Sequence, residues 1–306
     1  MILLFAVLIV ILLAALISVL YFGPKMLLMP KRRPPEFYFQ RYGFSHPSQI
    51  GLDYVEKTLT TSEGYKLKYW VIDDPDCYNE SGSIIYLHGI TDSKVSGLNY
   101  ARELAKFGYE VFLIDMRRHG DSEGKYCTYG YYEKNDVAAL IDKIQSENQG
   151  GEQDGIDITL VGVSMGAAIA IQTAAMEKRV SRVIAVAPFY DLFSIALDHQ
   201  VRKIGIKSKI LMKLVLSRAE KIARFKAAEV SPAHDIPKIH VPILIVHGTE
   251  DKTVKSEYSR RLKELNENAR LLVIPNAGHI DVLEKGGKAY LEQLVEFIRD
   301  KDLTGS

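Results

Sequence analysis

The chain has 306 residues, of which 47% are hydrophobic and 25% are charged, and its formal net charge at pH 7 is +1. This composition supplies enough apolar surface for a domain-sized core and excludes a disordered chain. Nucleic-acid-binding proteins usually carry a basic excess, which is missing here, so we expect no nucleic acid partner. The sequence gives no signal for an oligomeric state.

The first 22 residues are almost wholly apolar, and the first charged side chain is Lys25. About 20 apolar residues in a helix cross a bilayer, so we predict a transmembrane anchor over residues 1–24. A cleaved signal peptide is the alternative, but it would start with a basic residue and end at a small-residue cleavage site. The residues that follow include Lys25, Lys31, Arg32 and Arg33. By the positive-inside rule, these charges predict a single-pass membrane protein with the rest of the chain in the cytoplasm.

Residues 25–50 combine four prolines with five aromatic residues. Prolines end the anchor helix and stiffen a connection, so this stretch is predicted to be a linker. The aromatic rings can lie at the lipid headgroups or dock on the following domain, and docking is favoured because loops beside a domain usually bury such rings.

From residue 51 to 306 the sequence alternates between short apolar runs and helical patterns, which predicts one domain. The predicted strands are Tyr54 to Thr60, Tyr65 to Ile72, Ile84 to Leu87, Val111 to Asp115, Ile158 to Val163, Val183 to Ala187, Ile243 to Val246 and Leu271 to Ile274. The predicted helices are Leu98 to Phe107, Val137 to Ile144, Ala167 to Met176, Ser256 to Leu265 and Ala289 to Ile298. The first two strands read as a hairpin. The rest predict a doubly wound, mostly parallel α/β sheet, whose sites lie at the carboxyl ends of its strands.

An insertion at about residues 190–235 breaks this alternation. Residues 201–226 carry nine lysines or arginines and one acid, Glu220, interleaved with aliphatic residues. This pattern predicts basic amphipathic helices that form a lid over the strand ends. The basic face can be merely solvated, or it can rest on anionic lipid and take substrate from the membrane.

Ser164 lies in the segment Gly162-Val163-Ser164-Met165-Gly166, between a predicted strand and a predicted helix. A strand–turn–helix of this type exposes a serine hydroxyl, and the flanking glycines avoid crowding at the turn. The alternative is a plain glycine-rich turn of a Rossmann-like protein. A serine nucleophile needs a base and a group that orients the base.

Asp251 and His279 each follow a predicted strand downstream, and both loops open on the same sheet edge as Ser164. We therefore predict His279 as the base and Asp251 as the acid that orients it. Asp191 and Glu250 are the alternative acids. Asp251 is preferred because it lies deeper in the loop before a helix.

The oxyanion of an acyl-transfer reaction requires two N–H donors. Met165 N–H, at the start of the helix, is one candidate. Ile90 N–H, in the His88-Gly89-Ile90-Thr91 loop after a strand, is the second.

These motifs together resemble those of the α/β-hydrolases. The resemblance rests on His88-Gly89, Asp115-Met116-Arg117-Arg118-His119-Gly120-Asp121-Ser122, Gly162 to Gly166, Gly248-Thr249-Glu250-Asp251 and Gly278-His279. Arg118 stands where many relatives have glycine, and the oxyanion loop has one glycine rather than a run. The subgroup that is most similar comprises membrane-anchored acyl esterases and relatives of monoacylglycerol lipase and serine aminopeptidase.

The resemblance implies a membrane-tethered serine hydrolase that cleaves esters or thioesters of small-molecule or lipid acyl substrates. A peptidase or amidase with the same triad is one alternative, and a non-catalytic ligand-binding module on this fold is another. We expect no metal and no cofactor, because the sequence has no HExxH, CxxC or GxxxxGK motif. The two cysteines, Cys77 and Cys127, lack the paired spacing of a zinc site.

Overall fold

The computed structural model describes residues 1–73, 82–147 and 157–300. Cys77 lies outside the described residues. The strands form a single eight-stranded sheet in the order β1-β2-β4-β3-β5-β6-β7-β8. They are β1 (Val55–Thr60), β2 (Lys66–Ile72), β3 (Ser83–Leu87), β4 (Glu110–Ile114), β5 (Ile158–Val163), β6 (Val180–Val186), β7 (Ile243–Gly248) and β8 (Ala269–Ile274).

The predicted sheet is confirmed, including its hairpin. β1 pairs antiparallel with β2, and β2 pairs antiparallel with β4, while all pairs from β4 to β8 are parallel. The parallel strands β3 and β7 are buried along their whole length, as a sheet covered on both faces requires. Their carboxyl ends share one edge, and this edge is where the side chains singled out from the sequence come together.

Helices cover both faces of the sheet. They are α1 (Ile2–Leu28), α2 (Pro35–Tyr42), α3 (Leu98–Ala105), α4 (Glu133–Glu147), α5 (Met165–Ala174), α6 (Leu192–Ile204), α7 (Lys209–Ala223), α8 (Pro232–Asp235), α9 (Ser256–Glu264) and α10 (Val282–Arg299). One apolar core lies between the sheet and α4, α5 and α7, and a second lies between the sheet and α3 and α10. The sheet is thus packed on both faces, which holds the carboxyl ends of its strands in place.

The N-terminal helix α1 is long and apolar enough to cross a membrane. It runs four residues beyond the predicted end at residue 24, with Pro24 inside it, and its last residue, Leu28, is buried in the core of the domain. The carbonyl of Leu27 accepts a hydrogen bond of 3.0 Å from the Tyr129 hydroxyl, and that of Leu28 accepts one of 2.9 Å from the Cys127 amide. The end of α1 is therefore part of the folded domain.

The predicted linker contains a short helix, α2, which begins with Pro35 and ends before Gly43 in the left-handed conformation. Tyr38 of α2 and Phe44 are buried in the same core as Trp70 of β2. Phe37 and Tyr42 pack partly buried against the same core, so four of the five aromatic residues dock on the domain, while Phe39 is exposed.

The insertion between β6 and β7 forms α6, α7 and α8. α7 packs against α6 and also against α1, where a Cβ atom added to Gly23 would lie 3.1 Å from the Val215 side chain. The glycine lets the two helix backbones approach each other closely. The insertion thus packs between the N-terminal helix α1 and the rest of the domain.

Candidate active site

Ser164 occupies the turn between β5 and α5 with φ 56° and ψ −111°, a conformation that is strained for any residue with a side chain. The turn is tight because β5 passes directly into α5. A Cβ atom at Gly162 would lie 2.2 Å from the Gly166 carbonyl oxygen, and one at Gly166 would lie 1.9 Å from the Leu87 carbonyl oxygen. Both contacts are with backbone, so only glycine fits either position.

His279 and Asp251 lie beside this turn, on the loops that follow β8 and β7. The Ser164 Oγ is 2.9 Å from His279 Nε2, and His279 Nδ1 is 2.7 Å from Asp251 Oδ2. With the imidazole protonated on Nδ1, the serine hydroxyl donates to the ring and the ring donates to the carboxylate. This is the geometry that a nucleophile, a general base and an orienting acid require.

The carboxylate of Asp251 is fully buried, and its second oxygen accepts hydrogen bonds from the amides of Thr253 (2.7 Å) and Val254 (2.9 Å). Burial alone would raise the pKa of Asp251. The hydrogen bond and charge of His279, together with the two amides, outweigh burial and hold this pKa below its ordinary value. Asp251 is therefore an ionised, fixed acceptor for the imidazole.

The loop after β3 lies against the same turn, since a Cβ atom on Gly89 would be 3.6 Å from the Ser164 Cβ. Ile90 follows in this loop and packs, half-buried, against the core. Met165 is the first residue of α5, where a backbone N–H has no acceptor within its own helix. One predicted oxyanion donor, Met165, thus follows Ser164 in the chain, and the other, Ile90, lies in the loop that packs against the Ser164 turn.

His88, the first residue after β3, holds the loop that contains Gly89 and Ile90 through two hydrogen bonds of its ring. Its Nε2 accepts a 3.0 Å hydrogen bond from the Met116 amide, so Nδ1 carries the proton and donates to the Gly89 carbonyl at 2.7 Å. Burial lowers the pKa of His88 to about 4, and the imidazole is neutral at pH 7. His88 is a structural support for the loop.

Comparison with known proteins identifies the family. A family model described as serine aminopeptidase, S33, matches residues 78–233, just over half of the chain, and one described as the alpha/beta hydrolase fold matches residues 207–286. The protein is an α/β-hydrolase. This membership supports hydrolytic activity.

Relatives match the hydrolase over most of its length. The uncharacterized protein YqkD of Bacillus subtilis is 27% identical over 284 residues, which cover 90% of each chain. The probable lysophospholipase L2 of Haemophilus influenzae is 23% identical over 303 residues, covering 82% of this chain and 93% of its own. The Pyrococcus furiosus esterase Pf2001 has the same fold, with a TM-score of 0.67 and 24% identity, over 91% of this hydrolase and 99% of the esterase.

The alternative acids of the hydrolase point elsewhere. Asp191 is the N-cap of α6, where its carboxylate accepts hydrogen bonds from the Ser194 amide (2.7 Å) and hydroxyl (2.9 Å). Glu250 is exposed. Of the three carboxylates considered, Asp251 is the one that the structure places against His279.

Two histidines that the sequence reasoning left without a role also lie near the triad. His247 Nε2 is 3.1 Å from the Val254 carbonyl and 3.4 Å from Asp251 Oδ2, and its Nδ1 accepts from the Ser259 hydroxyl at 2.7 Å. Burial lowers the pKa of His247, so this ring stays neutral. His247 lies near the carboxyl end of β7, but its partner Ser259 is on α9, and no local pattern at His247 specifies that contact.

The second is His199 on α6, close enough to His279 for the two to interact electrostatically. Burial, followed by the charges of Arg202 and His279, lowers the pKa of His199 to about 4. α6 is held over the acid-bearing loop by Asp198, which binds Lys255 at 2.6 Å and the Tyr258 hydroxyl at 2.5 Å. The inserted helix therefore borders the site.

Within residues 1–73, 82–147 and 157–300, no group of three histidine, cysteine or acidic side chains is arranged to hold a metal ion. Cys127 is buried, its Sγ lies 3.5 Å from the Met165 Sδ, and burial raises its thiol pKa well above the usual range.

Proposed function

We propose that the protein is a membrane-tethered serine hydrolase that cleaves carboxylic ester or thioester bonds of acyl substrates through an acyl-enzyme intermediate. The observation that carries the proposal is a pair of hydrogen bonds, one from Ser164 to His279 (2.9 Å) and one from His279 to Asp251 (2.7 Å). The backbone of Ser164 is held at φ 56°. A strained backbone conformation lowers the stability of the folded protein, and at a serine it is typical of a functional nucleophile.

In the proposed reaction, His279 Nε2 takes the proton of the Ser164 hydroxyl as the oxygen attacks the substrate carbonyl carbon. The tetrahedral intermediate collapses, His279 returns the proton to the leaving alcohol or thiol, and Ser164 remains acylated. Water then attacks the acyl carbon as His279 Nε2 takes its proton. The bond between Ser164 Oγ and the acyl carbon breaks as His279 returns that proton to Ser164, which releases the carboxylic acid. Asp251 keeps the imidazole in the required tautomer and stabilises the imidazolium.

The N–H groups of Met165 and Ile90 are the proposed oxyanion donors. Met165 lies at the N-terminus of α5, where the helix dipole adds a partial positive charge. Donors that are already oriented stabilise the developing negative charge without reorganisation during the reaction.

α1 is the proposed membrane anchor, with residues 25–50 as the connection and 51–306 as the hydrolase domain. The burial of Leu28 in the domain core and the contact of Gly23 with Val215 favour a retained helix over a cleaved signal peptide, because cleavage would remove part of the packed structure. The basic residues from Lys25 to Arg33 favour a cytoplasmic catalytic domain.

The inserted helices α6 and α7 are the proposed lid. Both helices place apolar side chains in the core of the domain, and α7 packs against the proposed membrane helix α1, so this surrounding suits a substrate with an acyl chain. The relative named as a probable lysophospholipase and the structural neighbour named as an esterase support an ester substrate.

A peptidase is the second candidate, because the matched family model is described as serine aminopeptidase. A carboxylate facing the site would be expected to hold a substrate α-amino group. The two carboxylates of α6 have other partners, since Asp191 caps its own helix and Asp198 binds Lys255 and Tyr258. An ester therefore fits this site better.

The proposal is tested with the full-length protein in detergent. A fluorophosphonate probe should label the parent protein and leave Ser164→Ala unlabelled, and p-nitrophenyl esters should be cleaved faster than aminoacyl p-nitroanilides. A folded parent protein that resists the probe would refute a serine nucleophile. Preferential cleavage of the anilides would move the assignment to a peptidase, and a folded parent protein that cleaves neither kind of substrate would indicate a binding module.

A further inference from the structure

The α6–α7 tip, residues 201–214, exposes large aliphatic side chains that the fold of the domain does not bury. Val201, Ile204, Ile206, Ile210 and Leu214 are all exposed, and Ile210 is the most exposed of them at 77%. Ile210 and Leu214 are four residues apart on α7 and so share one face. Single exposed aliphatics are ordinary on protein surfaces, but a cluster at one end of a helical hairpin marks a contact surface.

The charge of this tip is one-sided. Between residues 201 and 214 there are five basic side chains and no acid: Arg202, Lys203, Lys207, Lys209 and Lys213. Aliphatic side chains that alternate with lysines suit the boundary between the headgroups and the acyl chains of an anionic membrane, where the isoleucines enter the acyl region and the lysines meet the phosphates.

The tip points the same way as the N-terminal part of α1. The C-terminal ends of both helices are held by one loop, since the Leu27 carbonyl of α1 accepts from the Tyr129 hydroxyl and the Arg224 carbonyl after α7 accepts from the Tyr132 hydroxyl. The two helices therefore run in the same direction toward this loop.

The contact between Gly23 and Val215 sets the level of the tip along α1. Ile210 lies five residues before Val215, a rise of about 7.5 Å, which corresponds to Ser18 on α1. The apolar stretch of α1 ends at Phe22, so the tip reaches about 6 Å below the level where the hydrocarbon would end. Helices that lie in a membrane interface are buried by about 5–10 Å.

From this geometry we propose that the α6–α7 tip inserts into the interface of an anionic leaflet beside α1, so that the catalytic edge of the sheet faces the bilayer. This inference rests on the membrane tether of the proposed function. Arg202 of α6, whose guanidinium donates to the Thr253 carbonyl at 3.0 Å in the acid-bearing loop, lies two residues before Ile204, or about 3 Å along the helix. Acyl chains in the leaflet are thereby brought beside the loop that carries Asp251.

The test places a tryptophan at the tip of the full-length protein in vesicles. Ile210→Trp is compared with Met176→Trp, another exposed position, which follows the C-terminal end of α5 and so lies at the end of that helix away from Ser164. The parent protein has one tryptophan, Trp70, which is buried and provides a constant background. Vesicles contain phosphatidylcholine alone or with phosphatidylglycerol, each with and without phosphatidylcholine brominated in the upper half of the acyl chains.

In the anionic vesicles, bromine should lower the added fluorescence of Ile210→Trp about twofold or more, as expected for a side chain in the acyl region, and leave that of Met176→Trp unchanged. Lys207→Glu with Lys209→Glu should weaken the quenching, since each lysine near an anionic surface contributes about a fivefold preference for the docked tip. Lys178→Glu, beside the control position, should have no effect.

Absence of quenching at Ile210→Trp in protein that floats with the vesicles would overturn the docking of the tip. Equal quenching in the two kinds of vesicle would overturn the assignment to anionic lipid. Protein that does not float would refute the tether of the proposed function, and fluorophosphonate labelling of the same samples reports separately on the nucleophile.

Discussion

The substitution Asp251→Asn tests the proposed role of the acid with little disturbance of the fold. The amide oxygen of asparagine can still accept from the Thr253 and Val254 amides, which bind one carboxylate oxygen at 2.7 and 2.9 Å. The other oxygen, 2.7 Å from His279 Nδ1, becomes an NH2 group, which cannot accept the ring proton. The imidazole is then driven to the tautomer with its proton on Nε2, where it cannot accept from Ser164.

The expected loss in kcat is about 10⁴-fold, equivalent to about 5.4 kcal/mol of transition-state stabilisation. Asp191→Asn is the matched control, since asparagine caps a helix as well as aspartate does, and its kcat should change less than about threefold. Steady-state hydrolysis of a p-nitrophenyl ester in detergent measures both, with thermal unfolding as the check on folding. A loss of less than about tenfold for Asp251→Asn, or a large loss for Asp191→Asn, would refute the proposed triad.

Two further predictions concern stability. Ser164→Gly should unfold about 2–4 °C above Ser164→Ala in a thermal scan, because glycine tolerates φ 56° while alanine keeps about 1–3 kcal/mol of strain; the opposite order would contradict a strained turn. Burial lowers the pKa of His88 to about 4, against about 6.5 in the unfolded chain, so the unfolded state binds the extra proton between these pH values. His88 alone should therefore lower the free energy of unfolding by about 3 kcal/mol as the pH falls from 6.5 to 4. His88→Asn should show a smaller fall than the parent protein in denaturant titrations, and an unchanged dependence on pH would assign the proton to another group.

The sheet could be predicted because its strands are short aliphatic runs bounded by turns, a signal contained within each segment. The strand–turn–helix at Ser164 is similarly local: Gly162 and Gly166 are required by contacts with neighbouring backbone, and the sequence pattern carries that requirement. The helix α2 lies within the stretch that the sequence predicts to be a linker. Pro35 at its first position and Gly43 after its last are ordinary helix-end signals, but the density of prolines around them favoured a stiff connection.

Contacts between distant segments could not be predicted. The packing of α1 against α7 joins residues 23 and 215, and no local pattern at either position specifies the other. The same applies to His199, which lies in a basic helix without a motif, and to His247, whose partner Ser259 is on α9. The choice between Asp191 and Asp251 also depended on loop geometry, since both carboxylates follow strands of the same sheet.

The packing of Leu28 into the domain core has a mechanical consequence for a protein held in a membrane. A catalytic domain joined to its membrane helix by a flexible linker would reach substrates over a range of heights set by the length of the linker. Here α1 is packed into the domain through Leu28, so in the proposed membrane-tethered enzyme Ser164 would lie at one fixed height above the lipid. Lengthening the connection at residues 29–34 would therefore leave that height unchanged, because the stem is held by its packing and not by the chain that follows it.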